Sequence, residues 1–498
     1  MLSWAGRVFD PGARDGSGRP GDPAAPPPPI RREELTGDAA APMRLVRGDA
    51  LDVALALAAE GLAGKVDLVY LDPPFASQEN YEIETRLDGP ADGRVRRSPA
   101  YEDSWSRAGR GKRGAGGIHA YLDVLAPRLA AMARLLSPTG TLWVHLDWRA
   151  AYLVRVLLDE IMGRDAFLNE IVWRRAPNLG RQATSQQFGR TLDTLVVYGK
   201  PDAVLRPPTR LEPIEKGAIR WDRPEAEGGR PFTTAPRGDY TDASIARLEA
   251  EGRVHRTPSG RVYIKYHLVK DATGAWCRER RVDALWTDVP PLRHAAVSER
   301  TGFPTQKPRA LLERIVACAS PPGGLVVDLF SGSGTTGEAA HVLGRRAILG
   351  DVGAASIATA RARLLRAGAS LSLERCGDAA ATSTATIACK VHASAASSGE
   401  GVLSVRLLSP GEPLAWAIGT LGAGDGSDHG VFTSLWHTER APGARPTPAA
   451  LEALVSAAPN LAARVYADDG RVGTARLAGS STSDADDAGL AERAAATA

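Results

Sequence analysis

Three stretches of the chain are apolar at consecutive positions and carry an acid at or near their carboxyl end: 66–72 (VDLVYLD), 141–147 (TLWVHLD) and 324–330 (GLVVDLF). A strand with one wet face alternates apolar and polar side chains. A strand without alternation has both faces covered. Such strands belong to a parallel sheet between layers of helices, and helical spacing does separate the runs. Residues 118–136 carry Leu122, Leu125, Leu129, Met132 and Leu136, and 149–162, 308–319 and 354–367 also read as helices. Runs at 43–48, 170–173, 193–199 and 346–351 add further strands, and 50–62 another helix. The expected class is therefore α/β with a mostly parallel sheet. Four cysteines in 498 residues, none in a CxxC pair, exclude a disulfide scaffold and a cysteine zinc site. No stretch approaches the roughly 18 apolar residues of a membrane span, and the first residues lack the apolar segment of a secretory signal. A soluble, cytoplasmic chain is expected, with no membrane partner.

Ligands of open α/β sheets bind beyond the carboxyl ends of the strands, so the residues leaving the apolar runs are the candidate site. After the first run come Asp72, Pro73, Pro74 and Phe75. The two prolines hold the backbone extended and remove two N–H donors, leaving carbonyls that only accept. With a carboxylate and a flat apolar ring, this set suits an exocyclic amine. Asp72 and the Pro73 carbonyl each accept one N–H, and Phe75 stacks on the ring. A strand-ending turn with a core phenylalanine is the alternative. After the third run the chain reads Asp328-Leu329-Phe330-Ser331-Gly332-Ser333-Gly334-Thr335-Thr336 and enters a helix. Gly332 and Gly334 permit a tight turn and close approach of backbone to a ligand. Asp351 ends the next strand 23 residues beyond Asp328, where an acid can take a ribose diol. The third glycine of a dinucleotide loop is missing, which points to a nucleoside without pyrophosphate; a packing turn stays open.

Together these motifs resemble those of the S-adenosylmethionine-dependent DNA amino-methyltransferases, the adenine-N6 and cytosine-N4 family. Asp72 to Phe75 is similar to their DPP(Y/F/W) catalytic motif and 328–336 to their cofactor loop. The catalytic motif precedes the loop by 256 residues, an order similar to the β group, which includes type III-like modification methyltransferases. Residues 286–290 (WTDVP), 303–308 (FPTQKP, resembling a PTQKP element) and 47–50 (RGDA, resembling a GD element) fall in the same order. The resemblance spans about 43–366. It implies a Rossmann-like methyltransferase fold, circularly permuted, in which 43–48 supplies the third strand of the cofactor half and the chain returns after the catalytic half for strands one and two. S-adenosylmethionine is the implied cofactor. Asp351 would hold its ribose, the loop with Asp328, Phe330, Gly332, Gly334 and Thr335 its methionine portion, Thr305 and Lys307 its carboxylate, and Asp49 its adenine amine. Lys307 as a solvated charge and Asp49 as a helix N-cap remain alternatives. The implied activity is methylation of a flipped base in DNA, at adenine N6, because an Asp at position 72 goes with adenine in the family. Cytosine N4, RNA, and a recognition subunit without activity stay open. Such transfer needs no metal, and His119, His145, His255, His267 and His294 show no metal-ligand spacing. His145, in an apolar run, reads as a hydrogen-bonded core residue.

The organisation follows from composition at the two ends of the chain and, between 43 and 366, from what the resemblance implies. Residues 1–42, with PAAPPPP at 23–29, read as a disordered leader. Residues 43–199 form the catalytic half, 200–285 a target-recognition insert, 286–366 the cofactor half, 367–478 a β-rich module, and 479–498 a disordered tail. The net charge is +3, but 1–42 contributes −1 and 367–498 contributes −5, so 43–366 carries +9. A basic core flanked by acidic segments fits phosphate contacts. The sharpest basic cluster is 94–113, with Arg94, Arg96, Arg97, Arg107, Arg110, Lys112 and Arg113 against two acids. It reads as a DNA-contacting loop, with a solvated loop as the alternative. A separate restriction subunit and a homodimer are open as further partners.

Overall fold

The computed structural model describes residues 27–75, 117–177 and 186–377 except Ala39 and Ala41, and outside these the backbone of separate strands. The chain divides into two units, Met1–Leu205 with Leu285–Ala498, and Arg206–Ala284.

In the first unit the apolar runs become the centre of one sheet. Its strands between residues 27 and 377 are β1 (Ile30–Thr36), β2 (Met43–Arg47), β3 (Val66–Leu71), β4 (Leu136–Leu146), β5 (Phe167–Arg174), β6 (Leu192–Gly199), β7 (Leu285–Trp286), β8 (Leu325–Asp328), β9 (Arg346–Asp351) and β10 (Leu371–Cys376). They lie in the order β7-β5-β6-β4-β3-β8-β9-β2-β10-β1. Pairing is parallel from β4 through β10 and antiparallel where β6 meets β4 and β5. The order β8-β9-β2 at the centre carries out the expected permutation: the first strand of the core in sequence lies third in the cofactor half. Helices α1 (Ala50–Leu57), α2 (Gly117–Ala133), α3 (Ala151–Met162), α4 (Arg309–Ala319), α5 (Thr335–Val342) and α6 (Ala354–Arg366) connect the strands.

The missing alternation has the meaning expected of it. Val66, Leu68, Val69 and Leu71 are wholly buried and Tyr70 nearly so, each aliphatic contributing about 1.5–3 kcal/mol. Val69, Leu71, Val144 and Leu146 pack in one core with residues of α1, α2 and α3. By strand alternation Tyr70, Asp72, Trp143 and His145 project from the opposite face.

Two boundaries are corrected. The leader does not stay without structure to residue 42: Ile30–Thr36 is a strand, antiparallel to β10. Its Glu34 is buried and accepts from Arg361 Nε and Nη2 at 3.1 and 2.7 Å. The core also does not end near 366, because β10 continues the sheet beside β2 and its Glu374 accepts from Arg44 Nε at 2.8 Å. Beyond Gly377 only backbone strands are described, among them Cys389–Ala395, Pro413–Leu421, Phe432–Glu439 and Leu461–Ala467. The tail at 479–498 lies outside the described residues. Among the described residues no helix is long and apolar enough to cross a membrane.

The second unit, Arg206–Ala284, is polar in sequence yet regular in structure. Thr209–Pro213, Trp276–Arg281, Val262–Lys270, Pro231–Pro236 and Arg220–Trp221 form a sheet in that order, with Val254–Arg256 added beside Val262–Lys270. Ile245 and Leu248 of the helix Asp242–Ala250 pack with Ile264 as its small core.

Candidate active site

Strands β3 and β8 are parallel neighbours, with Val327 opposite Val69. Both loops that leave them open into one cavity of about 310 Å³, whose walls include Asp72, Phe75, Thr305, Lys307, Ser331 and Asp351. Asp49 and Arg128 also reach it.

Asp72 sits one residue past the end of β3. Its Oδ2 accepts a hydrogen bond from Lys307 Nζ, and the same ammonium lies 5.1 Å from the centre of the Phe75 ring. Its Oδ1 is buried with no hydrogen-bond partner. The Lys307 ammonium thus contacts both the carboxylate and the aromatic ring. The sequence placed Lys307 toward a cofactor carboxylate; in the structure its partner is Asp72.

The glycine loop is held from below. Asp328 is buried, and its oxygens accept from Phe330 N–H at 3.0 Å and Thr336 Oγ1 at 2.6 Å. Burial pushes its carboxyl up to about 7, against the pull of those two donors. Gly332 and Gly334 have φ of 48° and 76°. A Cβ on Gly334 would meet Ala360 Cβ at 2.7 Å. Thr335 Oγ1 accepts from Arg363 Nη1 at 2.6 Å. Arg363, which the sequence gave no reason to single out, also donates to the Ser333 carbonyl at 3.2 Å and the Glu299 carbonyl at 3.1 Å. It ties the loop to the segment before α4.

Asp351 accepts from Gly332 N–H at 3.0 Å and Gly353 N–H at 2.7 Å, and burial raises its carboxyl above the usual range. Asp49 fulfils the cap alternative: it accepts from Leu51 N–H at 2.8 Å at the start of α1, while its other oxygen meets Arg128 Nη2 at 2.6 Å. Arg128 is a second residue the sequence did not signal, since it lies on a mostly apolar helix outside the motifs.

His145 bridges two residues that the sequence left apart. Its Nδ1 is 2.9 Å from Tyr70 Oη and its Nε2 is 3.2 Å from Asp193 Oδ2. Of the basic cluster, Arg96 and Arg97 fall on the backbone strand Val95–Glu102, without described side chains. Arg94, Arg107, Arg110, Lys112 and Arg113 lie outside the described residues.

A permuted, mostly parallel sheet thus brings an Asp-Pro-Pro-Phe turn and a glycine loop to one cavity at the carboxyl ends of its strands. Residues 66–361 match the family described as DNA methylase, the N6/N4 group. The chain belongs to that family. Among curated relatives it is 28% identical over 305 residues to the type II methyltransferase M.EcaI of Enterobacter cloacae, covering 57% of this chain and 61% of that one. It is 24% identical over 331 residues to the Mod subunit of the type III restriction-modification enzyme StyLTI of Salmonella typhimurium, covering 59% and 49%. The chain therefore spans about half to three-fifths of the length of these relatives. Among solved structures, the M1.HpyAVI–SAM complex aligns over 64% of this chain and 98% of its own, at 18% identity and a TM-score of 0.36.

Proposed function

We propose that the protein transfers a methyl group from S-adenosylmethionine to the exocyclic N6 amine of adenine in DNA. The observation that carries this reading is the Asp72 site. One carboxylate oxygen is buried without a partner, the other faces an ammonium, and an aromatic ring lies alongside. The pocket also fits the cofactor on its own terms. Besides Asp72 Oδ1, the Ser331 hydroxyl is buried without a partner, and Gly332, which carries no side chain, lines the same cavity.

When bound, S-adenosylmethionine supplies an electrophilic methyl on a sulfonium whose departure leaves a neutral thioether. The chain's own residues do the rest. Asp351 presents lone pairs to the ribose hydroxyls, and the loop from Phe330 to Gly334 lines the methionine portion. Asp72 and the Pro73 carbonyl accept the two amine hydrogens, aim the nitrogen lone pair, and favour the pyramidal nucleophile. Entry of the amine displaces Lys307 from Asp72 Oδ2. Phe75 stacks on the extruded base and offsets part of the few kcal/mol that unstacking costs. The relatives named as type II and type III modification enzymes support a modification role, with any restriction activity on a separate chain.

The test is Asp72→Ala with tritiated methyl transfer to DNA, together with mass spectrometry of nucleosides from a host expressing the wild type. N6-methyladenine in DNA that disappears with Asp72→Ala is expected. N4-methylcytosine would overturn the choice of base, methylated RNA the choice of substrate, and full transfer by Asp72→Ala the role of Asp72.

A further inference from the structure

We propose that His145 and Asp193 are positioning residues for methyl transfer, which fix Tyr70 and Phe75 against the base that enters beside Asp72. The proposal rests on the reading of Asp72 and Phe75 above and adds to it a polar chain that crosses three strands.

Tyr70, His145 and Asp193 come from β3, β4 and β6, which are neighbours in the sheet. Tyr70 pairs with Trp143, and His145 pairs with Leu195. With a period of two, Tyr70, His145 and Asp193 therefore project from one face. All three are at most 2% exposed, and they lie where the strands reach the cavity.

The direction of the hydrogen bonds follows from which group can give a proton. Burial acts to raise the Asp193 carboxyl, but the hydrogen bond from His145 and the charges of Lys307 and Arg175 prevail and hold it below the usual range. It is a carboxylate and only accepts, so His145 Nε2 donates to it. Burial pushes the Tyr70 phenol well up, so it keeps its proton, and its oxygen lies 2.9 Å from His145 Nδ1. Arg175 Nε, 2.8 Å from the other Asp193 oxygen, closes the far end. Both ring nitrogens of His145 are thereby fixed.

That ring backs the pocket. It stacks on Phe75 with centroids 6.1 Å apart and 29° between planes. Trp173 meets it edge-on at 5.8 Å and is itself anchored by its N–H to the Val289 carbonyl at 3.0 Å. Taking a histidine and a carboxylate out of water costs free energy that apolar residues of similar volume would not. Deeper on the same face the strands carry Leu68 and Trp143 instead. The polar chain is confined to the end of the sheet where the placement of Phe75 and Tyr70 decides the angle of attack.

The test uses the full-length protein and DNA from a host without DNA methylation. Methyl transfer, S-adenosylhomocysteine binding by calorimetry, and thermal melting are measured on the same preparations. His145→Leu and Asp193→Asn are expected to lower kcat by about 10- to 100-fold, the scale of a small misplacement of reacting groups, with cofactor affinity unchanged. His145→Gln keeps an acceptor toward Tyr70 and a donor toward Asp193, and should recover most of the rate. Wild-type kcat in both His145→Leu and Asp193→Asn would overturn the proposal. So would a loss of rate that runs parallel to lost melting temperature and cofactor binding and is not recovered by His145→Gln. Asp193→Asn is nearly isosteric and keeps the test decisive if His145→Leu does not fold. Asp72→Ala run alongside separates the readings. Transfer surviving in Asp72→Ala beside an impaired His145→Leu overturns the role of Asp72 alone. An inactive Asp72→Ala beside unimpaired His145→Leu and Asp193→Asn overturns the positioning role alone.

Discussion

Two aspartates, Asp72 and Asp328, stand at the carboxyl ends of adjacent parallel strands and line the same cavity, yet the chain treats them in opposite ways. The turn after Asp328 is rich in glycine and bends its own donors back onto the carboxylate, so Phe330 N–H and the Thr336 hydroxyl take both oxygens. The turn after Asp72 is Pro-Pro, which has no N–H to offer, and one oxygen remains without a partner. A carboxylate whose neighbours can donate becomes part of the scaffold. One whose neighbours cannot is left to accept from something that arrives. The difference lies in the residues that follow the acid, not in the acid.

The largest effect that would break this comparison is on rate. Asp72→Ala should lower methyl transfer by roughly 10³-fold, about 4 kcal/mol of transition-state stabilisation, while chemical denaturation shows little loss of stability. A stability loss as large as that of the loop variants would place Asp72 in the scaffold too. Next comes Thr336→Val, which leaves the buried Asp328 carboxyl with a single donor. It should cost about 1–3 kcal/mol of stability, measured by urea denaturation, and weaken cofactor binding. Gly334→Ala forces a left-handed residue at about 1–2 kcal/mol and drives a Cβ against Ala360. It should lower stability by at least that amount and loosen the entry to α5, again read by denaturation. An undisturbed Gly334→Ala would show that the loop is not the stiff partner in the comparison.

How much of this was legible in the sequence depends on how far the deciding partner lies along the chain. The strands at 66–72 and 324–330 declare themselves because their burial pattern is local. The permuted sheet follows from motif order alone. The strand Ile30–Thr36 does not declare itself: IRREELT reads as solvated, and Glu34 is acceptable inside only because Arg361, 327 residues away, is buried with it. Leu371–Cys376 hides for the same reason, its Glu374 being matched by Arg44. In the site, Asp72, Phe75 and the glycine loop are contiguous motifs and were readable. Lys307 was visible as a motif member but not its partner, since nothing in FPTQKP says which carboxylate the ammonium meets. The Tyr70–His145–Asp193 chain joins three strands by single residues, and each alone looks like ordinary core.

The smallest expected effect concerns pH and the buried acid of the glycine loop. Burial raises the Asp328 carboxyl from the ordinary carboxylate range to about 7. A group whose folded value is raised favours the fold in its protonated form. Its contribution is complete below the unfolded value and is lost as pH rises through the folded one. Between about pH 4 and pH 7 this group should therefore make the protein less stable as pH rises. Asp328→Asn removes the titration and approximates the neutral form. The melting temperature of wild type minus that of Asp328→Asn should rise as pH falls from 7 to 5. A flat difference for Asp328→Asn would mean that Thr336 and Phe330 keep the buried carboxylate ionised.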